Sequence, residues 1–512
     1  MSTRREIRKI MLVYPPVVNS RSTNNICGVP MGISYLGAYL RREGYEVKLL
    51  DAAVEGYFHE EVISPWLIRF GLPYEDIADR IVDYKPDVLG VSCIFSGQMP
   101  GVRRIAHDAK KNLGDDIFTI TGGSHPTFMA RQVLEEEALD FVVRGEGEQV
   151  LTNLLAAIRE SRSLSDIRGI AFRNGEKIIV NPKENRIEDL DSLPWPARDL
   201  LPMEKYFKIN IPMQSVSKRT PNTNITTSRG CPYRCTFCTS SRHWGRFATR
   251  SPEDVLDEID YLIKTYGIKE LKFEDDNLTF DTDRAKAIFQ GIVDRGYDLA
   301  WNTPNGIAIR TLTEDMLKLM KRSGCFEVTL AVESGDPEVL RNVIKKPLDL
   351  AETELVARWC TKLGIETTGY FIIGFPGETR EQIFRTFRYA RRLKLDKAYF
   401  FIYNPLVGTP LREKCIRDKL IPEDHTNEDD NWFIGQIESD HWTSKELYRW
   451  QKAAFWGYNF SLFLRNPFRF VAKYWNVLTR NPTFVKQALR SLINDTLRVI
   501  KTLYPEKMEE EG

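Results

Sequence analysis

The sequence predicts an α/β protein: a doubly wound parallel sheet, then a partial barrel of six βα repeats, then a helical tail. Three observations carry this. Between residue 9 and about 150, five short apolar runs (9–14, 46–50, 87–92, 117–121 and 140–143) alternate with stretches long enough for a helix, the pattern of a parallel sheet with right-handed crossovers. The alternation returns between about 222 and 405, with runs at 224–227, 270–273, 300–303, 327–332, 368–373 and 398–403 and no clear seventh or eighth repeat, which reads as a partial (β/α)6 barrel. From about 420 strand character is lost, and the chain becomes aromatic, basic and helix-like. The expected divisions are therefore a Rossmann-like unit over 1–150, a connector over 151–220, the barrel over 221–410 and a helical, basic and aromatic region over 411–512.

Composition narrows the function classes. At 512 residues and 59.2 kDa the chain is long enough for several cores, and 72 Lys+Arg against 71 Asp+Glu leaves a net charge of +1. No global field draws it to nucleic acid or to an acidic partner. The eight cysteines, at 27, 93, 231, 235, 238, 325, 360 and 415, are too sparse for a disulfide scaffold, so a reducing cytoplasm is expected. The charged start followed by a short apolar run ending at Pro15-Pro16 lacks the features of a signal peptide. No run reaches the roughly 18 apolar residues a spanning helix needs.

In the first unit the strands deliver four loops to one sheet edge, where an open parallel sheet binds its ligand. They are Tyr14-Pro15-Pro16, Ser92-Cys93-Ile94-Phe95-Ser96-Gly97, Gly122-Gly123-Ser124-His125-Pro126 and Arg144-Gly145-Glu146-Gly147-Glu148. Their glycines let a bulky ligand approach the backbone. The connector reads as a helix, a hairpin over 169–180 turning at Asn174-Gly175, and the proline-rich Leu193-Pro194-Trp195-Pro196. Barrel chemistry is expected at the strand C-termini.

After the first barrel strand comes Ser228-Arg229-Gly230-Cys231-Pro232-Tyr233-Arg234-Cys235-Thr236-Phe237-Cys238. Three thiolates within eight residues can hold one inorganic centre, and no fourth cysteine is local. On a [4Fe-4S] cube three thiolates leave one iron open, whereas purely electron-transferring clusters usually close all four corners with cysteine. The competing readings are a zinc site completed by His243, or three unrelated core thiols.

The CxxxCxxC spacing, with Phe237 before its last cysteine and at the head of a βα barrel, resembles the radical S-adenosylmethionine (SAM) superfamily. Phe273-Glu274-Asp275-Asp276-Asn277 resembles its segment contacting the SAM amino group, Ala331-Val332-Glu333-Ser334-Gly335 its ribose segment, and Gly369-Tyr370-Phe371-Ile372-Ile373-Gly374-Phe375-Pro376-Gly377-Glu378-Thr379 its glycine-rich adenine segment. The resemblance thus implies Cys231, Cys235 and Cys238 as cluster ligands and Phe237, Glu274, Asp275, Glu333, Tyr370 and Gly374 as SAM contacts. Asp275-Asp276 alone could pass for a metal-binding pair, but no histidine stands near it in sequence. The loops of the first unit are similar to the cobalamin-binding domain preceding many such barrels, which implies Pro15, Ser92, Cys93, Ser96, Gly122, Gly123, Gly145 and Glu146 as cobalamin contacts. None of the six histidines stands in DxHxxG. The chain therefore resembles the base-off, His-off subclass, in which the lower cobalt face meets a loop, by position 92–97. His125 reads as a nucleotide-tail or structural histidine. Cys93 stays ambiguous, and Cys27, Cys325, Cys360 and Cys415 read as core residues.

The resemblance implies a cobalamin-dependent radical SAM methyltransferase of class B type. Side-chain acid-base chemistry cannot break an unactivated C–H bond, so cofactors carry the reaction. The cluster would reduce SAM to give a 5′-deoxyadenosyl radical, methylcobalamin would methylate the resulting substrate radical, and a second SAM would remethylate the cobalamin. An electron donor such as ferredoxin or flavodoxin is implied. The same cofactors also serve tetrapyrrole cyclisation and rearrangement, and shared motifs do not separate these outcomes. The tRNA methylthiolating branch fits worse, because its first domain carries three clustered cysteines and only Cys27 and Cys93 precede residue 231 here. A non-catalytic cobalamin or SAM sensor is the reading from another class, disfavoured by the intact cysteine triplet.

Between Lys445 and Lys501 basic residues interleave with Trp450, Phe455, Trp456, Phe460, Phe463, Phe468, Phe470, Tyr474 and Trp475, and Val485, Leu489, Leu492, Ile493, Val499, Ile500 and Leu503 follow a helical stripe. Two compatible readings result: a helical cap over the barrel mouth, favoured, and an interfacial patch bringing a lipid-like substrate to a cytoplasmic enzyme at the inner membrane face. RNA stacking would need a similar patch, but no RNA-binding motif is present.

Overall fold

The computed structural model describes residues 6–465 except 22, 65, 184–185, 212–216 and 429–434, together with 467–468, 485–487 and 489–490. In chain order the strands of the first half are β1 (Lys9–Tyr14), β2 (Val17–Ser20), β3 (Glu46–Asp51), β4 (Glu60–Val62), β5 (Leu67–Phe70), β6 (Val88–Ser92), β7 (Phe118–Gly122), β8 (Phe141–Val143), β9 (Ile170–Asn174) and β10 (Lys177–Val180). The second half contributes β11 (Asn222–Ile225), β12 (Ser228–Arg229), β13 (Ala248–Thr249), β14 (Glu270–Phe273), β15 (Ala300–Ile307), β16 (Cys325–Glu333), β17 (Glu366–Ile373) and β18 (Lys397–Ile402).

The first sheet has the order β10-β9-β8-β7-β6-β1-β3. Its five parallel strands are the five apolar runs of the sequence. The inward-facing Ile10, Leu12, Val88 and Ile120 pack against helices on one face, and Met11, Val13, Leu89 and Val91 on the other. Two buried faces explain why these strands read as continuous hydrophobic runs. The hairpin β9–β10 is antiparallel and pairs β9 with β8, so it lengthens this sheet, and a boundary at 150 would cut through it. β2, β5 and β4 form a small antiparallel sheet beside it, which the sequence reading did not anticipate.

The six parallel strands β11-β14-β15-β16-β17-β18 form the second sheet in strict sequential order, the open six-stranded barrel expected. Its core runs from Ile225 through Trp301 and Phe371 to Tyr458. Apolar periodicity and caps define the helices between strands. Pro252–Tyr266 starts at a Ser251 cap to the Asp254 N–H and ends at Gly267 in the left-handed region, and Arg380–Leu393 starts with a Thr379/Gln382 capping box.

The described part of the tail reaches the barrel mouth at the start of its helix, where Leu447 lies against Gly374 just beyond β17. The helix Ser444–Arg465 packs along the edge strand β18: Gln451 donates to the Phe400 carbonyl at 2.7 Å and Tyr458 to the Leu395 carbonyl at 2.7 Å. Covering a sheet edge removes unpaired backbone groups from water. Further on, Gln487 is buried against the first half, where its Oε1 accepts the Asn25 N–H and its Nε2 meets the Tyr57 hydroxyl. Leu489 is exposed, whereas the remainder of the stripe, Leu492 to Leu503, and Phe470, Tyr474 and Trp475 lie outside the described residues.

Candidate active site

The cysteine loop follows β12 and is tied down by backbone. Gly230 takes φ +83°, and a Cβ there would stand 2.5 Å from the Arg246 carbonyl oxygen, so only glycine permits this approach. Thr236 donates its N–H to the Ile344 carbonyl at 2.9 Å and its hydroxyl to the Val343 carbonyl at 2.7 Å, while its own carbonyl accepts from Leu411 N. The three thiols on this loop are half-buried. Burial pushes Cys231 up, Cys235 to about 11 and Cys238 to about 12. For Cys235 and Cys231 the nearby Lys346 ammonium offsets only part of this burial effect, which suits a site where further positive charge arrives with a metal. Among the described residues no three His, Cys, Asp or Glu side chains converge on a single ion. His243, the zinc alternative's fourth ligand, instead sets its ring against Phe128 and Trp244.

Around the loop stand the strand ends. Phe237 packs on Phe375, ring centroids 5.9 Å apart. Glu274, after β14, accepts Asn224 Nδ2 at 2.8 Å, and its backbone carbonyl accepts Asn305 Nδ2 at 2.7 Å. Burial, opposed by the Asn224 hydrogen bond and aided by Asp275, raises Glu274 from 4.5 to about 7. The native state then holds a proton that the unfolded chain releases between about pH 4.5 and 7, so this group's stabilisation is complete below that window and is lost as pH rises through it. Glu274→Gln is therefore expected to raise the melting temperature of the cofactor-free protein relative to wild type more at about pH 8 than at about pH 5. Thermal denaturation at the two pH values checks this; equal shifts would contradict it.

Asp275 is fully buried and engaged. Its carboxylate accepts the Thr227 N–H, the Thr227 hydroxyl at 2.7 Å and the Ser228 hydroxyl at 2.5 Å, so it braces the turn that leads into the cysteine loop. Its neighbour Asp276, part of the same segment but not among the SAM contacts expected from the sequence, is exposed and accepts Ser240 Oγ at 2.7 Å beside Cys238. Asn277 donates towards Cys231 Sγ at 3.9 Å.

Glu333 ends β16 at φ +66°, a strained conformation for a side-chain-bearing residue and one that often marks a ligand site. Its carboxylate accepts Lys346 Nζ at 2.8 Å, and the same ammonium donates to the Ala331 carbonyl at 2.6 Å. Burial alone would lower Lys346, but Glu333 and Cys235 hold it above its ordinary value. This buried cation beside the thiols was invisible in the sequence. Tyr370 donates to the Pro304 carbonyl at 3.0 Å and packs on Phe401. Gly374 faces the barrel core: at φ +80°, its added Cβ would lie 2.6 Å from Leu447 of the helix Ser444–Arg465, and its N–H is held by buried Glu378 at 2.7 Å.

The loops at the edge of the first sheet also converge. Ser92 pairs with Gly122, and the Cys93 N–H binds the Gly122 carbonyl at 2.8 Å. Gly123, at φ +116°, lies so close that a Cβ would meet the Cys93 oxygen at 2.4 Å. The buried Cys93 thiol donates to the Phe95 carbonyl at 3.4 Å, and Pro15 is buried beneath this edge. Ser96 Oγ stands 2.8 Å from His125 Nδ1. His125 is buried, its pKa lowered to about 4 by that burial and by Arg103 and Arg412. Ile94 and Phe95, by contrast, are 39% and 53% exposed on the same loop. An apolar shelf with no histidine presented from it suits the flat lower face of a corrin. Gly145, at φ +79°, gives its N–H to Thr127 Oγ1. Glu146 points across to the barrel, pairing with Arg229 at 2.7 Å and accepting the Ile187 N–H at 3.0 Å.

Two family models match in the order of the two halves: the B12 binding domain over residues 23–155 and the radical SAM superfamily over 225–390. Cytidylyl-2-hydroxyethylphosphonate methyltransferase of Streptomyces wedmorensis is 34% identical over 451 residues, covering 82% of this chain and 84% of that protein. The chain belongs to the cobalamin-binding radical SAM family. It is an enzyme of that family, and its cofactors are a [4Fe-4S] cluster, SAM and cobalamin. Anaerobic magnesium-protoporphyrin IX monomethyl ester cyclase of Rubrivivax gelatinosus is 30% identical over 382 residues, 73% of this chain and 64% of that one. The solved structure of the radical SAM methyltransferase TsrM from Kitasatospora setae, with cobalamin and a [4Fe-4S] cluster bound, superposes with a TM-score of 0.65 at 19% identity, covering 88% of this chain and 89% of that chain, which supports the fold.

Proposed function

We propose that this enzyme methylates an unactivated carbon of a small molecule, with a lipid-like substrate included in that class. The observation that carries the reading is the presence in one chain of a three-thiol loop and of a sheet edge whose exposed Ile94–Phe95 shelf is apolar while its one loop histidine, His125, is buried against Ser96. Cys231, Cys235 and Cys238 would hold the cluster, with Lys346 supplying a buried positive charge beside it. SAM would be oriented by Phe237, Glu274, Asp276, Glu333 and Tyr370. Asp275 and Gly374 support this set indirectly, the first by holding the Thr227–Ser228 turn and the second by admitting Leu447. Cobalamin, base-off and His-off, would lie on the Ile94–Phe95 shelf, with Pro15, Ser92, Cys93, Ser96, Gly122, Gly123 and Gly145 shaping its edge. When bound, the cluster and SAM supply hydrogen-atom abstraction and cobalamin supplies the methyl group. The chain's own residues bind, orient and exclude water.

An acidic one-electron carrier of the ferredoxin or flavodoxin type would serve as donor. No described helix is long and apolar enough to cross a membrane. Trp456, Phe460, Phe463 and Leu464 are exposed along the helix Ser444–Arg465, which supports a peripheral membrane contact of a cytoplasmic enzyme.

Product stoichiometry tests the reading. Methyl transfer consumes two SAM molecules per turnover, yielding one 5′-deoxyadenosine and one S-adenosylhomocysteine, whereas cyclisation or rearrangement does not require the second product. Anaerobically reconstituted protein given methyl-labelled SAM, reductant and cytidylyl-2-hydroxyethylphosphonate as first probe, then a panel of other small molecules, is expected to form both products together with a labelled methylated species. 5′-Deoxyadenosine without S-adenosylhomocysteine would favour the cyclase reading, which the second relative supports. Cofactor binding with no SAM cleavage would favour a sensor.

A further inference from the structure

One buried ion cluster joins the two halves of the molecule next to the cysteine loop. Arg229, in β12 and two residues before Cys231, donates Nη1 to Glu146 at 2.7 Å and Nη2 to Glu148 at 2.6 Å. All three side chains are at most 8% exposed. Glu146 and Glu148 belong to the loop and first helical turn after β8, at the ligand edge of the first sheet. The guanidinium is further boxed by the rings of Tyr35 and Trp244, 5.1 and 5.3 Å from it. The remaining oxygen of Glu146 accepts the Ile187 N–H at 3.0 Å. Burial raises the Glu146 pKa even though Arg229 opposes it, as expected where one cation faces two carboxylates.

Such a cluster is an expensive way to hold two domains together. Desolvating three charges commonly costs as much as their attraction returns, and apolar residues of similar volume would hold the surfaces as well or better. What a guanidinium fork adds is direction: it fixes angle and separation, where an apolar contact can slide. On both sides the clamp adjoins a turn that needs glycine, Gly230 before the cysteine loop and Gly145 on the sheet edge, each at positive φ.

We propose that the Glu146–Arg229–Glu148 clamp is a positioning device that sets the distance between the cysteine loop and the cobalamin edge. Glu146 is thereby a positioning residue rather than a cofactor contact. This inference rests on the cofactor reading above.

The test uses the full chain, reconstituted with iron and sulfide and loaded with cobalamin, then reduced so that the cluster and cob(II)alamin each carry an unpaired electron. Pulsed dipolar or exchange-coupled EPR reads their separation without any substrate. Wild type is expected to give one narrow distribution. Arg229→Met and Glu148→Gln are expected to broaden it and move it to longer distance at unchanged iron and cobalamin content, and Arg229→Lys, which reaches only one carboxylate at a time, to fall between. Because Arg229 adjoins the cluster loop, Glu148→Gln, 81 residues away from it, decides the matter if Arg229→Met fails to take up iron. Unchanged distributions in loaded variants would overturn the clamp and leave the functional reading intact. A wild-type protein that binds no cluster or no cobalamin would overturn the functional reading instead.

Discussion

Cys235→Ala is expected to eliminate 5′-deoxyadenosine formation and to leave cobalamin binding intact. The reason is the ligand count: the loop supplies three thiolates, and a cube held by two would be labile and would no longer present a single open iron. The substitution itself removes one half-buried sulfur from the periphery of the barrel core, so the fold should tolerate it. The sheet edge that would carry cobalamin packs in separate cores built from Leu12, Val13, Leu89 and Val91, which is why the two losses should separate. Anaerobic reconstitution, iron analysis, cobalamin absorbance and chromatography of the SAM products measure both halves of the expectation. Undiminished SAM cleavage in the variant would defeat the cluster assignment, and loss of cobalamin along with the cluster would show that the two halves do not fold independently.

Glu258→Ala should be the most destabilising of the single substitutions considered. Glu258 is fully buried on the helix Pro252–Tyr266 and sits between two guanidinium groups, accepting Arg198 at 2.6 Å and pairing closely with Arg250. Those arginines in turn hold backbone: Arg198 donates to the Asn224 carbonyl at 2.8 Å and Arg250 to the Thr226 carbonyl at 3.1 Å. Removing the carboxylate strands the buried Arg198 and leaves Arg250 with Asp254 as its remaining carboxylate, beneath the strand that leads to the cysteine loop. Breaking a buried pair in this way costs about 3–5 kcal/mol, a large part of a native stability of about 5–15 kcal/mol. Burial alone would raise the Glu258 pKa, but Arg250 and Arg198 bring it below the ordinary carboxylate value. Its contribution is therefore present above that ordinary value and is lost as pH falls through the lowered one. Urea denaturation at neutral pH should show the loss, and Glu258→Gln should flatten the acid limb of the stability profile. A loss under about 1 kcal/mol, the range of an exposed pair, would mean that the network is solvated.

The legible parts of this protein are the local ones. β1, β3, β6, β7 and β8 announced themselves as apolar runs because both faces of a parallel sheet are buried; in the barrel this holds for β16, β17 and β18, whereas β11 (NTNI) and β14 (ELKF) bury polar side chains and were legible only from the strand-then-helix spacing. β2, β4 and β5 did not, since they are short and in β4 every residue is exposed. The hairpin at Asn174-Gly175 was readable from its turn, but its pairing with β8 was not, because a turn specifies what it connects and not what it will lie beside. In the tail the aromatic pattern signalled a helix, yet which surface it covers depends on the free edge of β18. At the site, three cysteines within eight residues could be read directly. Lys346, the engagement of Asp275 by Thr227 and Ser228, and the diversion of Glu146 to Arg229 could not.

By itself the sequence determined the fold class, the two cofactor-bearing halves and the cysteine loop, since each depends on residues close along the chain whose periodicity or spacing is its own signal. Only the tertiary structure decided which carboxylates face the site and which are consumed as braces, and how the two halves are joined. Those outcomes rest on pairings across tens to hundreds of residues, such as Arg229 with Glu146, 83 positions apart. An isolated acidic residue reads the same in the chain whether its partner is a cofactor or an arginine, and burial against a particular neighbour settles the difference.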